Sequence, residues 1–300
     1  MKGIIYALLA AFCNSCIGIF SSILMEQGLS STEIAFMRCF VALLFTFTLC
    51  MLNVSVRRKL KIGGLQVLKY VVLAFFGINI MYIFETTAIQ YIPVSLVSFL
   101  LYASGILTII LSCIFLKEQM SIAKLIAIIV VFMGIGIMFI SNLNISGSLI
   151  GIIYAIIAGA GYSLYIFLNK KWNMKSGMRT LMYIFLFGTI FLGIQLLISG
   201  TVISIKVNNI PFIIFLAIVP TMGGFYFTNK AINYAMAGEV QLVEMSEPFI
   251  ATLLGVVILN QVISKTDFVG GIFITVGLII LEKDNIVNVL KSKKSAEKEP

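Results

Sequence analysis

GIIYALLAAFCNS, residues Gly3–Ser15, returns about half a chain later as GIIYAIIAGAGYS, residues Gly151–Ser163, identical at seven of thirteen positions. Each copy opens a long apolar run, so the repeat and the hydrophobic pattern share one phase. An α-helix needs about 20 mostly apolar residues to cross the hydrocarbon core of a bilayer. Ten runs of that kind follow one another, at residues 3–25, 32–52, 69–89, 93–116, 122–141, 148–168, 178–199, 210–231, 238–259 and 266–282. The first begins like a secretory leader, with Lys2 ahead of an apolar stretch. Its continuation past Ile23 and the equivalent runs behind it predict a first membrane helix.

Composition points the same way. The 300 residues are 60% hydrophobic and 11% charged, whereas soluble domains carry about 45–50% apolar and about 25% charged residues. No soluble core of this size holds the excess. The net charge of +9 lies in short gaps between apolar runs, not on a soluble domain, which argues against nucleic acid as a partner. There is no histidine, so the usual proton carrier and metal ligand near neutral pH is missing; neither a metal nor a cofactor is expected. Cys13, Cys16, Cys39, Cys50 and Cys113 all sit in apolar runs, and the Cys13/Cys16 pair reads as two small apolar residues in a helix.

The basic residues set the orientation. With the N-terminus in the cytoplasm, the cytoplasmic gaps receive Arg57 to Lys61 with Lys69, Lys117 with Lys124, Lys170 to Arg179, Lys230 and the tail. Of the 21 lysines and arginines, all but Arg38, Lys206 and Lys265 fall on that side, the bias expected of cytoplasmic loops. A second register, of 143 residues, lays ETTAIQYIP (Glu85–Pro93) over TNKAINYAM (Thr228–Met236), Leu116 over Leu259 and Gly134 over Gly277. Five spans per copy is an odd number, so the second copy enters the membrane from the opposite side. The architecture expected is an all-α integral membrane protein of ten transmembrane helices in two inverted five-helix repeats. These occupy residues 1–141 and 148–282, followed by a charged, solvated and partly disordered cytoplasmic tail at 283–300, with both termini cytoplasmic. Inverted repeats of this kind build transporters whose substrate site lies near the midplane between the halves.

Two stretches, AIQYIPVSLVSFLLYASGILTIILSCIFLKEQMS (Ala88–Ser121) and AMAGEVQLVEMSEPFIATLLGVVILNQVIS (Ala235–Ser264), resemble the drug/metabolite transporter superfamily in its ten-helix EamA branch. That family places Leu-Gly-Glu at the end of a span before a polar turn, and a Glu-Pro pair in the later copy. Leu116-Lys117-Glu118 and Glu247-Pro248 match this pattern, with Lys117 in place of the glycine and Asn260-Gln261 where the second Gly-Glu would stand. Arg38 resembles the arginine of the family's Arg-Phe pair, although Cys39 separates it from Phe40. The resemblance covers essentially the whole chain. It implies a carrier of small metabolites, a class that ranges over amino acids, amines and nucleotide sugars.

Ionisable side chains within spans cost about 2.5–3.5 kcal/mol each at the helix centre, so their default reading is functional. Arg38 and Glu85 lie at similar depths on sequential helices and are expected to form an ion pair, serving as a gate or fixing helix packing. Glu244 and Glu247 stand three residues apart, which puts them on one helical face, and two such carboxylates cannot both stay ionised cheaply. They are the candidates for proton coupling or for holding a polar, cationic substrate. Asn14, Tyr162, Tyr102 and Tyr226 are further candidates for contact with substrate; Tyr82 and Tyr165 could line the same cavity. Interhelical hydrogen bonding and core packing are the competing readings for all of them. Pro220 lies over Gly77 and Pro248 over Gly105 in the 143-residue register, and interrupters at matching places in two halves point to a central site. Glu244 falls over Leu101 and Glu247 over Ser104, so the site should be chemically one-sided. Glu239 and Lys230 read as helix-end charges, Gly134, Gly136, Gly270 and Gly277 as points of close helix approach, Gly147/Gly151 as a weak GxxxG pair, and Ser264–Asp267 as a capping box.

The function expected is secondary transport of a small polar metabolite across the inner (cell) membrane by alternating access, with small molecule, lipid and protons as partners and the oligomeric state left open. The alternatives are a membrane enzyme or flippase acting on a lipid-linked or nucleotide-sugar substrate, and a non-transporting sensor. Against an enzyme stand the missing histidines and the presence of only two aspartates, Asp267 and Asp284.

Overall fold

The structure is a computed structural model that describes residues 2–58, 60–92, 94–140, 148–200, 203, 205–259 and 264–296. No strand occurs among the described residues. Eight helices are long and apolar enough to cross a membrane: α1 (Lys2–Glu26), α2 (Ser31–Leu52), α3 (Gly64–Tyr91), α4 (Leu96–Phe115), α6 (Leu149–Lys171), α7 (Met178–Ile198), α8 (Val207–Tyr234) and α9 (Ala237–Ile258). The shorter apolar α5 (Ile122–Ile140) and the C-terminal α10 (Lys265–Ala296) complete the order. Gly147, Asn260 and Gln261 lie outside the described residues.

The helix starts follow local chemistry. Ser264 and Asp267 form the expected capping box at α10: the Asp267 amide donates to Ser264 Oγ at 3.0 Å and the Ser264 amide to Asp267 Oδ2 at 3.1 Å. Ser30 and Glu33 form the same device at α2. At the other end, α10 does not stop where the charged tail begins; it runs on to Ala296. Lysine, glutamate and alanine are strong helix formers, and extending an existing helix is far easier than nucleating one.

Several of these helices are irregular inside. Gly77 sits in a wide π-helical turn, Phe75–Ile80, and Pro220 in another, Ala217–Gly224. Helix α4 breaks at Ser104–Gly105 and α9 at Met245–Ser246, just before Pro248. A fifth break, at Ser15–Cys16 in α1, has no proline or glycine to announce it.

Packing crosses between the halves of the chain. The first part of α1 lies along the end of α8 and the start of α9, and α6 lies along α3 and α4; α2 pairs with α7, and α5 with α10. Small residues such as Ala7, Ala35, Ala42, Ala74 and Ala158 are fully buried beside large ones such as Tyr165 and Phe185, while many other large apolar side chains face outward, Leu197 with 82% exposure among them. So much outward apolar surface suits a lipid environment, where helices associate by close packing.

The α5/α10 contact shows that packing at its closest. A side chain on Gly134 would run into the Gly270 carbonyl and the Ile274 amide, one on Gly270 into Met138 and the Gly134 carbonyl, and one on Gly277 into Val131 and the Ala127 carbonyl. Gly136, read from sequence as another such point, has nothing within 4 Å of its missing Cβ, because it occupies a different side of α5. Gly134→Ala should therefore lower the unfolding temperature of the detergent-purified protein, by the equivalent of about 1–3 kcal/mol of overpacking. Gly136→Ala should leave it unchanged.

Candidate functional site

Helix α6 is the post around which the polar interior is built. Tyr162, Tyr165 and Asn169 recur at helical spacing and therefore share one face. All three are buried. Glu244, fully buried at the end of the first segment of α9, meets that face: Tyr162 donates to its Oε2 at 2.7 Å and Thr228 of α8 to its Oε1 at 2.6 Å. The two hydroxyl oxygens lie 3.2 Å apart, so carboxylate, phenol and alcohol close a triangle. One turn along, Tyr165 donates to Asn229 Oδ1 at 2.7 Å, and Asn169 Nδ2 donates to the same oxygen. On α4, Thr108 donates to Gln241 Oε1 at 3.2 Å and to the Ser163 carbonyl at 3.2 Å.

A second polar group joins α2 and α3. Arg38 of α2 and Glu85 of α3 form the expected ion pair at 3.3 Å, and the Arg38 guanidinium sits 3.5 Å over the Tyr82 ring. Phe225 packs edge-on against both Tyr82 and Tyr165, with ring centroids 6.2 and 5.1 Å away. It thereby joins the ring under Arg38 to the tyrosine face of α6. Arg38 is wholly buried, and its Nε and Nη1 make no hydrogen bond with the described residues.

Glu247 stands apart from the triangle and accepts a hydrogen bond from Tyr102 of α4. Among the described residues Glu244 and Glu247 share no hydrogen-bond partner. Their spacing places them on one face only if the helix runs unbroken, and the turn at Met245–Ser246 removes that periodicity. Glu247 begins a new helix, Glu247–Leu259, where the exposed amides and the dipole favour a negative charge. Pro248, the next residue, occupies a first-turn position where a missing N–H costs nothing.

The remaining candidates are scattered. The Asn14 carboxamide lies against the bare backbone of Gly224, where a side chain would displace it. Gly77 makes room for the Tyr165 ring, and Gly105 for the Gln241 side chain. Tyr226 is away from the carboxylates: with Tyr6 it flanks Lys230, whose Nζ lies 5.4 and 5.6 Å from the two ring centroids. Lys230 is thus not simply a solvated helix end, and Glu239 is paired with Lys124 at 2.8 Å.

Thr228, Asn229, Asn169, Gln241 and Thr108 belong to the buried polar network and were passed over by sequence reasoning. For Thr228 a signal exists, because the 143-residue register lays it over Glu85; each of these two positions meets a charged side chain. Chemically, a buried carboxylate held by two hydroxyl donors can take up a proton, or exchange those donors for the N–H groups of a ligand.

The model of the EamA-like transporter family matches residues 1–140 and 149–282. An uncharacterized transporter of Clostridium kluyveri is 26% identical over 95% of this chain and 94% of its own length. Another, from Archaeoglobus fulgidus, is 24% identical over 88% of this chain and 91% of its own. Protein PecM of Dickeya dadantii is 23% identical over 75% of this chain and 77% of its own. A protein known from a crystal structure superposes with a TM-score of 0.78 at 13% identity, over 93% of this chain and 96% of its own, a likeness of fold. On the match along both halves of its length, the chain belongs to the EamA-like transporter family.

Proposed function

We propose that this transporter moves a small polar metabolite (an amino acid, an amine or a related compound) by alternating access, with Glu244 and Glu247 exchanging protons for substrate. The observation that carries the reading is the Glu244 triangle: a carboxylate with no exposure, joining α6, α8 and α9 beside a break in one of them. Charge placed so far from water is costly, and the three helices that share it are those that have to move if the site is to open.

Ten spans in two inverted five-helix halves, residues 1–141 and 148–282, with both termini in the cytoplasm, are the scaffold of the proposal. The cross-half packing supports it: α1 on α8 and α6 on α3 are the same contact with the halves exchanged. So does the pair of wide turns at Gly77 and Pro220. In this scheme Tyr162 and Tyr102 hold the two carboxylates ready, while Asn14 and Tyr226 flank the path. The Arg38–Glu85 pair ties α2 to α3 as a gate or as a structural joint. The cell membrane is the compartment that goes with such a carrier.

A panel of amines, amino acids and nucleotides should include compounds that raise the unfolding temperature of the purified protein, and those compounds should be taken up by proteoliposomes. Uptake should vary with pH, and Glu244→Gln should flatten that dependence and slow transport at least about tenfold, the scale of one charged hydrogen bond. A wild-type profile that is already flat would rule out the proton role. Arg38→Glu and Glu85→Arg should each abolish uptake. The double variant, which restores opposite charges, should recover part of it; a double variant as inactive as the singles removes the pair from the mechanism.

A further inference from the structure

One end of the bundle is fastened by charged groups that the site described above does not use. Glu118, just beyond α4, reaches across to the start of α9: its Oε1 accepts from the Ala237 amide at 2.8 Å and its Oε2 from the Gly238 amide at 3.2 Å. The first amides of a helix have no partner within it, and their dipole favours an anion. Lys124, in the first turn of α5, pairs with Glu239 one residue further along α9 at 2.8 Å, and both side chains are buried. Lys170, at the end of α6, donates to the Ile232 and Ala235 carbonyls at 2.8 and 2.6 Å, covering the end of α8. The short turn between α8 and α9 is thus held from three sides.

Glu118 and Lys124 belong to residues 1–141, whereas the backbone and the glutamate they hold belong to 148–282. Rocking one half against the other would have to break these bonds. At the corresponding positions of the opposite end the sequence carries different side chains, and the polar contact described between the halves there is the neutral bond from Asn209 to Gln27. In the 143-residue register Gln261 stands in the place of Glu118, Leu96 in the place of Glu239, and Asp267 in the place of Lys124. Asp267 is engaged by Ser264 at the start of its own helix. An attraction made in one conformation and not in the other shifts the population towards the first.

We propose that Glu118 and Lys124, closing on the start of α9, form a one-ended latch that holds this end of the transporter shut at rest, and that its release is a gating step. The latch rests on the alternating-access reading and adds a resting direction to it: the charge bias of the loops puts this end in the cytoplasm, so the carrier waits closed to the inside.

Cys113 supplies a native reporter. It is half-buried and lines a cleft with Ile109, Glu118, Lys124, Met236 and Glu239, while Cys13, Cys16, Cys39 and Cys50 are buried. The full chain in lipid nanodiscs, exposed to a soluble maleimide and followed by mass spectrometry of each cysteine, measures how often the latch opens. Glu118→Gln and Lys124→Glu should each speed alkylation of Cys113 roughly tenfold, the size of a typical coupling between conformations. Adding Glu239→Lys to Lys124→Glu should return the rate towards that of the wild type. An unchanged rate in both single variants, a rise that the charge swap does not reverse, or an equal rise at Cys39 (loosening of the whole bundle) would overturn the latch. Alkylation needs no substrate, so its outcome is independent of the uptake measurements that test the transport reading.

Discussion

Inside a bilayer there is no water to complete a broken helix or to solvate a carboxylate, so both have to be met by another part of the same chain. The interior of this protein is arranged around that constraint. Where the ordinary helix breaks, a serine hydroxyl turns back onto a carbonyl of the preceding turn: Ser15 onto Phe12 at 2.6 Å, Ser104 onto Leu100 at 2.9 Å and Ser246 onto Val243 at 2.8 Å. At the second of these, Ser163 of α6 also donates to the Ser104 carbonyl at 2.9 Å. The irregular backbone thereby finds partners within the protein, without which it would be costly in lipid.

The same constraint explains why α6 is rich in small residues on one side and tyrosines on another. Gly159 admits the Leu101 carbonyl and Ser104, and Gly161 admits Ile80 and the Phe76 carbonyl, so the breaks of α3 and α4 can lie directly on it. Tyrosine suits the remaining face because its ring packs like an apolar side chain and its hydroxyl still finds a partner. Helix α1 plays the corresponding part for α8, with Asn14 against Gly224. Helices α5 and α10 stand apart from the Glu244 triangle, with Lys124 of α5 reaching α9 only at one end; their glycines bring the two backbones together as a pair.

Much of the fold was legible in the sequence because each signal is a bulk property. Apolar runs survive any rotation of their side chains, and the repeat survives as long as its phase does. The candidate site was legible in pieces. Glu244, Tyr162 and the Arg38–Glu85 pair stand out since a polar group in lipid needs a partner and the candidates are few. The shared face of Glu244 and Glu247 was misread because helical periodicity was carried across Met245–Ser246, a turn with no proline or glycine of its own. Tyr226 was grouped with the carboxylates because an aromatic residue in an apolar run gives no sign of which way it points. Thr228 and Asn229 were passed over because the adjacent Lys230 makes that segment look like the end of a span.

The two π-helical turns bear on direction as well as on packing. A turn of this kind holds one residue more than an α-helical turn, and with 3.6 residues per turn each residue sweeps about 100° around the axis. Everything beyond Ile80 on α3, and beyond Gly224 on α8, is therefore wound round by about that angle relative to a regular helix entering at the same place. Glu85 lies five residues past the first turn and Thr228 four past the second. The extra residues act as fixed twists in two shafts, and they set which polar side chain each shaft presents to its neighbour.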